Sequence, residues 1–158
     1  MDQNPSASVV IDAPIEVVWQ VMLDTASYGE WNPFVERADT AQPAQVGNPI
    51  VLHVVWANGK RTRSPERITA IEPPSAGGDG TATACLSYVY DGLPSRLGLV
   101  RGVRHQRLTR PPDGPTTYDT VEEFSGPLVR LAGPARVADG FRRHAEGLKR
   151  RAEELAGS

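Results

Sequence analysis

Apolar and polar positions along this chain follow two periods, helical near the two ends and strand-like between them. Ile15, Val18, Trp19 and Met22 recur at helical spacing, which predicts a helix running to about Asp24. Asp12 is placed to cap it, Pro14 suits its first turn, and Glu16 favours the positive end of its dipole. The short β-branched stretch Ser8–Ile11 ahead of it predicts a strand. Tyr28-Gly-Glu-Trp-Asn-Pro-Phe34 predicts a second short helix ended by Pro33.

Strand patterns dominate from there to Ser125. Phe34–Ala38 is one candidate. Pro49–Trp56 is another, with Ile50, Leu52, Val54 and Trp56 on one face. Asn58-Gly59 is a hairpin turn signal, and Arg61–Ile71 is the returning strand, ended by Glu72-Pro-Pro74. Ser75–Thr81 is a Gly-rich loop. Ala84–Tyr90, Leu99–Thr109 and Thr116–Ser125 complete the series, the last two joined by Pro111-Pro-Asp-Gly-Pro115. Strands at this spacing predict an antiparallel meander.

Gly126-Pro127 opens the final segment. Leu128–Leu131 is a candidate first turn, interrupted at Gly133-Pro134. From Ala135 the helical period returns. Val137, Phe141, Leu148, Ala152 and Leu155 form one stripe, while Arg142, Arg143, Glu146, Arg150 and Glu153 fall away from it, with His144 close to the arginine-rich side. A sheet this long must bury one face, and the terminal helix offers the only large apolar stripe to cover it. The predicted architecture is α+β. A curved antiparallel β-sheet wraps around a long C-terminal α-helix, with two short N-terminal helices, and encloses an apolar cavity in one domain, residues 1–158.

Composition narrows the function. The formal net charge of −2 gives no general pull toward nucleic acid or an anionic membrane. The basic clusters Lys60–Arg63 and Arg142–Arg151 have acidic neighbours and read as solvated faces. Cys85 is the only cysteine, so no disulfide forms within the chain; it reads as a small buried apolar residue. His53, His105 and His144 show no ligand spacing, and no phosphate-binding glycine motif or nucleophile elbow occurs, so no metal or cofactor is expected. No secretory signal or membrane-spanning run is visible, which predicts a cytoplasmic protein without membrane insertion. Arginine far outnumbers lysine, and Ala, Gly and Pro are common, a composition that fits a GC-rich bacterial genome.

Four motifs, in order, resemble the polyketide cyclase/dehydrase and lipid-transport branch of the START-like (SRPBCC) superfamily. They are Ile11-Asp-Ala-Pro-Ile-Glu-Val-Val-Trp19, Tyr28-Gly-Glu-Trp-Asn-Pro-Phe34, Ile68-Thr-Ala-Ile-Glu-Pro73 and Val121-Glu-Glu-Phe-Ser-Gly126 before the long helix. The resemblance implies a helix-grip fold and a cavity for a small apolar or amphipathic molecule. It implies no particular reaction, because the superfamily holds cyclases, hydrolases, carriers and receptors. Trp31, Asn32 and Phe34 fall where the family's second helix borders the cavity mouth.

The candidate chemistry lies on strand faces. Tyr118, Thr120, Glu122 and Phe124 share one face; Asp119, Val121 and Glu123 form the competing one. With the first face inward, Glu122 sits in the cavity with a raised pKa and serves as a general acid or base. With the other, it is exposed; an arginine pair on a neighbouring strand would instead make it structural. On the preceding strand Val100, Gly102, Arg104, Gln106 and Leu108 are the more apolar set, against Arg101, Val103, His105 and Arg107. An inward Arg104 holds an enolate or carboxylate oxygen, or pairs with Glu122. Tyr88 and Tyr90 share a face with Leu86 and are placed to line the cavity. Glu66 lies with Thr62, Ser64 and Ile68, and a bulge near Pro65 would reset that phase. Val137 and Phe141 present the helix stripe to the same space. Three functions fit: a cofactor-free cyclase/dehydrase, a non-catalytic carrier or sensor of an apolar ligand, and an accessory protein that docks through the helix arginines. A homodimer is compatible with each.

Overall fold

A computed structural model describes residues 4–158. The elements run β1 (Ser6–Ile11), α1 (Ile15–Leu23), a 3-10 turn (Thr25–Ser27), α2 (Tyr28–Trp31), β2 (Val35–Thr40), β3 (Pro49–Val55), β4 (Arg61–Ala76) and β5 (Ala82–Tyr90). They continue with α3 (Leu93–Arg96), β6 (Arg101–Arg110), β7 (Thr116–Ser125), a second 3-10 turn (Val129–Ala132) and α4 (Pro134–Ala156). The seven strands form one sheet in the order β1-β7-β6-β5-β4-β3-β2. Every neighbouring pair is antiparallel, so β2 to β7 is a meander and β1 closes beside β7. The sheet curls into a half-barrel around α4, the helix-grip architecture that the two-period pattern predicts.

Bulges supply part of the curl, because an extra residue bends and twists its strand. Register shifts fall between Val35 and Arg37 on β2, and between Ile68 and Ala70 and Glu72 and Ser75 on β4. The second of the β4 shifts explains why that strand runs on to Ala76, past the Pro73-Pro74 that was expected to end it. The prolines occupy an interruption where no ladder hydrogen bond is required of them. Pairing passes through Pro65 without a shift, so the inward phase of Glu66 and Ile68 holds.

The α4 stripe is buried at Val137, Phe141, Leu148 and Ala152. Leu155, expected on it, is exposed. Two heptads beyond Phe141 the stripe has drifted around the helix, since 3.6 residues per turn does not divide seven. His144 is buried, not on the arginine side, because it follows Phe141 by three residues and precedes Leu148 by four. Asp12 does not cap α1. The N-cap is Pro14, with no side-chain cap, and the Asp12 N–H instead donates to Glu153 Oε1 at 3.0 Å.

Two glycines let α4 approach the chain that follows α2. A Cβ at Gly140 would sit 2.2 Å from the Phe34 ring, and one at Gly147 would sit 2.8 Å from the Trp31 carbonyl oxygen. Spaced seven apart, they lie on one helix face, and their missing side chains bring Trp31–Phe34 hard against the helix. The short α3, which no period announces, has Pro94 in its first turn.

Candidate functional site

A cavity of about 360 Å³ lies between the concave face of the sheet and α4. Its apolar wall includes Phe34 just ahead of β2, Leu52 and Val54 from β3, Trp56 just after it, Phe124 from β7, and Val137 and Phe141 from α4. Its polar wall carries Glu66, Arg104 and Glu122, with Tyr90 beside them. Period two on three strands puts these groups inside: Glu66 on β4, Arg104 on β6 and Glu122 on β7.

Arg104 is only 4 % exposed. Its Nε donates to Thr120 Oγ1 at 3.0 Å and its Nη2 to Tyr118 Oη at 3.3 Å. Tyr118 in turn donates to Gln106 Oε1 at 2.8 Å. The guanidinium also lies 4.2 Å from the centre of the Phe141 ring, a cation–π contact. Arg104 and Glu122 are direct cross-strand partners, yet among the described residues no ion pair joins Arg104 to Glu122 or Glu66. A guanidinium partnered by hydroxyls and a ring retains donors for a ligand oxygen.

Glu66 is 8 % exposed and accepts a hydrogen bond from Ser64 Oγ at 2.8 Å. Burial pushes its carboxyl up to about 8, reinforced by the neighbouring charge of Glu122, against the pull of Ser64 and Arg104. Burial also raises Glu122, with Arg104 opposing. The Glu122 charge thus adds to burial in disfavouring ionisation of Glu66. Gly102 explains how Glu122, three strands from β4, reaches that far. A Cβ built there would sit 2.5 Å from Glu122 Oε1, so the carboxyl lies in the space a side chain at 102 would fill.

The structure brings Phe34, Glu66, Tyr90, Arg104, Glu122, Val137 and Phe141 to the cavity wall. Trp31, Asn32, Tyr88, Gln106 and Tyr118, expected there as well, are not part of its lining. Tyr88, Gln106 and Tyr118 are inward-facing but buried behind Arg104, where burial pushes the Tyr88 phenol up to about 12. Asn32 is fixed by local structure. Its Oδ1 accepts the Phe34 and Val35 N–H groups at 3.0 and 2.9 Å, and its Nδ2 meets His144 Nδ1 at 3.1 Å. Trp31 packs edge-on against Tyr28 and His144.

Sequence reasoning turned Tyr88, Gln106 and Tyr118 inward but missed the residue that joins them, His144. His144 stacks on Tyr118 with ring centres 6.0 Å apart, and burial, with the Arg104 charge adding to it, holds its imidazole well below the ordinary range. The spacing 141, 144, 148 was the signal that could have found it. Trp56 and Arg136 at the cavity edge, stacked 4.4 Å apart, were also missed as a pair, because they are distant in sequence.

On the convex side Ser87 Oγ lies 2.8 Å from His105 Nδ1, whose Nε2 is 3.7 Å from Glu123. Ser87 is 2 % exposed, so this row, superficially a nucleophile relay, is closed to substrate. Cys85 beside it is half-buried and not fully buried as expected, since its strand position faces outward. Among the described residues no group of three or more His, Cys, Asp or Glu is placed to hold a metal ion.

Fold and site together define a helix-grip cavity protein. The polyketide cyclase/dehydrase and lipid-transport family matches residues 3–153, and the chain belongs to that family, as its motifs predict. Oxopyrrolidines biosynthesis cluster protein O of Penicillium oxalicum (strain 114-2 / CGMCC 5302) is 27 % identical over 144 residues, covering 77 % of this chain and 71 % of that protein. The di-domain aromatase/cyclase BexL from the BE-7585A biosynthetic pathway superposes with a TM-score of 0.68 at 15 % identity, over 95 % of this chain and 50 % of that one. The chain thus spans half of that di-domain protein. The ZhuI aromatase/cyclase of Streptomyces sp. R1128 superposes with a TM-score of 0.64 at 16 % identity, over 96 % and 93 % of the two chains.

Proposed function

We propose that this protein is a cofactor-independent cyclase/dehydratase that closes a ring on a bound carbonyl compound. The observation that carries the reading is the cavity wall itself. Arg104 and Glu122 share it with Glu66, amid aromatic and aliphatic side chains, and neither carboxyl neutralises the arginine. The family's cyclase and dehydrase members support the same class of chemistry.

The cycle balances with these three residues. Glu122 takes a proton from a carbon next to a carbonyl whose oxygen Arg104 holds, which stabilises the enolate. The freed electron pair forms a carbon–carbon bond to a second carbonyl carbon of the same molecule. The oxygen of that carbonyl takes the proton of Glu66, whose raised pKa keeps it protonated near neutrality. Loss of water reverses the roles. Glu122 returns its proton to the departing hydroxyl, and Glu66 recovers one from the adjacent carbon. The aromatic walls hold the flexible substrate near its closed shape, which itself lowers the barrier.

A second reading, a carrier of an apolar molecule, is favoured by one observation: exposed leucines frame the cavity opening, and no step of the reaction needs them. Both readings take the chain as one domain working in the cytoplasm. The deciding experiment supplies an acyclic diketone whose aldol closure gives a six-membered enone, followed by its ultraviolet absorbance. Enone formation lost in Glu122→Gln supports the enzyme. Retention of co-purifying apolar molecules, identified by mass spectrometry, with no turnover of any carbonyl compound, supports the carrier.

A further inference from the structure

Two short segments meet at the opening of the cavity, and neither follows a period that buries its apolar residues. One is residues 92–101, around α3; the other is residues 126–136, around the second 3-10 turn. They are tied together directly. The Leu128 N–H donates to the Leu99 carbonyl at 3.0 Å, and a Cβ at Gly126 would sit 2.6 Å from that same oxygen. Leu93, Leu97 and Leu131 stand out from this rim at 68, 63 and 74 % exposure, with Leu128 beside them. Scattered exposed leucines are ordinary, but several around one opening are not.

The charge of the rim is of one sign. Residues 92–101 and 126–136 hold Arg96, Arg101, Arg130 and Arg136 and no Asp or Glu, on a chain whose formal net charge is −2. Arg101 and Arg130 have no acidic partner among the described residues. Arg96 reaches Asp91 only at 3.4 Å, and Arg136 lies over Trp56. Leucines ringed by arginines complement a surface that is apolar beneath and anionic at its face.

We propose that this rim docks on an anionic lipid bilayer, with the leucines in the interface and the arginines on lipid phosphates. The cavity opens at the same place, since Pro94, Leu99, Leu128 and Leu131 belong to both rim and lining. An apolar ligand then passes between bilayer and cavity without crossing water. Contact is with the surface only, because no helix among the described residues is long and apolar enough to cross a membrane. The inference rests on the cavity as a ligand site and is independent of whether that site is catalytic.

The test is flotation of the purified protein with vesicles of phosphatidylcholine alone or mixed with phosphatidylglycerol. The expected result is flotation with the anionic vesicles and not the neutral ones, decreasing as salt is raised. Arg101→Gln with Arg130→Gln should lower partitioning by about five-fold per arginine. Leu93→Ser with Leu97→Ser should lower it further, while an apolar dye still binds the cavity as in the wild type. Neither leucine lines the cavity, so their loss leaves it intact. Absence of flotation, or equal flotation with both vesicle types, overturns the proposal. So does a dimer that the leucine changes convert to monomer without vesicle binding, which makes the rim an interface between copies. Capture of soluble polyglutamate but not vesicles also overturns it, in favour of an acidic protein. No substrate enters these measurements, so failure here leaves the cyclase reading standing, and failure of that reading leaves vesicle binding unaffected.

Discussion

The inner end of the cavity and its mouth are built on opposite terms. At the inner end nearly every polar group is answered from within the chain: Arg104 by Thr120 and Tyr118, Tyr118 by Gln106, and Asn32 by two backbone amides and His144. At the mouth, leucines face outward and two arginines lack an acidic partner among the described residues. Self-satisfaction marks a region whose geometry must not move, while unanswered groups mark a region that meets something else. Glu66 and Glu122 fall between these cases: Glu66 is buried and Glu122 half-buried, and both line the open cavity.

The largest effect that would break this contrast is on turnover. Glu122→Gln keeps the shape and removes the titration, so the rate on a cyclising substrate should fall by about 10²–10⁴-fold with little change in ligand affinity. A wild-type rate makes Glu122 structural. Next is Phe141→Ala, which should cost about 3–5 kcal/mol in chemical denaturation, because it empties a packed site and removes the ring beneath Arg104. A loss below about 1 kcal/mol would place Phe141 on the loose side of the comparison.

The Glu66 carboxyl gives the contrast a pH signature. Its folded pKa of about 8 exceeds the unfolded value near 4.5, so the native state binds the extra proton between them. Stability should therefore fall as pH rises across that window and level off above it. Glu66→Gln should flatten the curve and be more stable than wild type at about pH 9, by about 5 kcal/mol at most. Equal slopes for the two proteins in denaturant titrations at several pH values would refute the assignment. Turnover should likewise decline above about pH 8 as the Glu66 proton is lost.

Gly102→Ala places a methyl where the Glu122 carboxyl now lies. The flexible end of Glu122 can move aside, so the fold should survive while turnover drops by about 10²-fold from misplacement. Unchanged kinetics would show that the carboxyl has no fixed position. The smallest effect belongs to the mouth. Leu93→Ser, at a position 68 % exposed, should change stability by less than about 0.5 kcal/mol by thermal or chemical melting.

Much of this was legible before the fold was known, because periodicity is local. Alternation along β6 favoured the inward face that carries Arg104, and along β7 it offered two faces, of which the fold turns the one with Glu122 inward; helical spacing on α4 named Val137, Phe141 and Leu148 as core. What alternation could not say is how deep along the concave face each inward residue falls. Arg104 and Gln106 are neighbours on one face of one strand, yet only Arg104 reaches the cavity. Depth depends on the curl set by bulges in other strands and on how closely Gly140 and Gly147 let α4 approach. The proton affinity of Glu66 likewise comes from burial and from a carboxyl on a strand three places away in the sheet. The rim joins two segments too short to carry a period. Its leucines and arginines become one surface only when β6 and β7 bring their ends together, because such a surface is a property of distances in space and leaves no pattern along the chain.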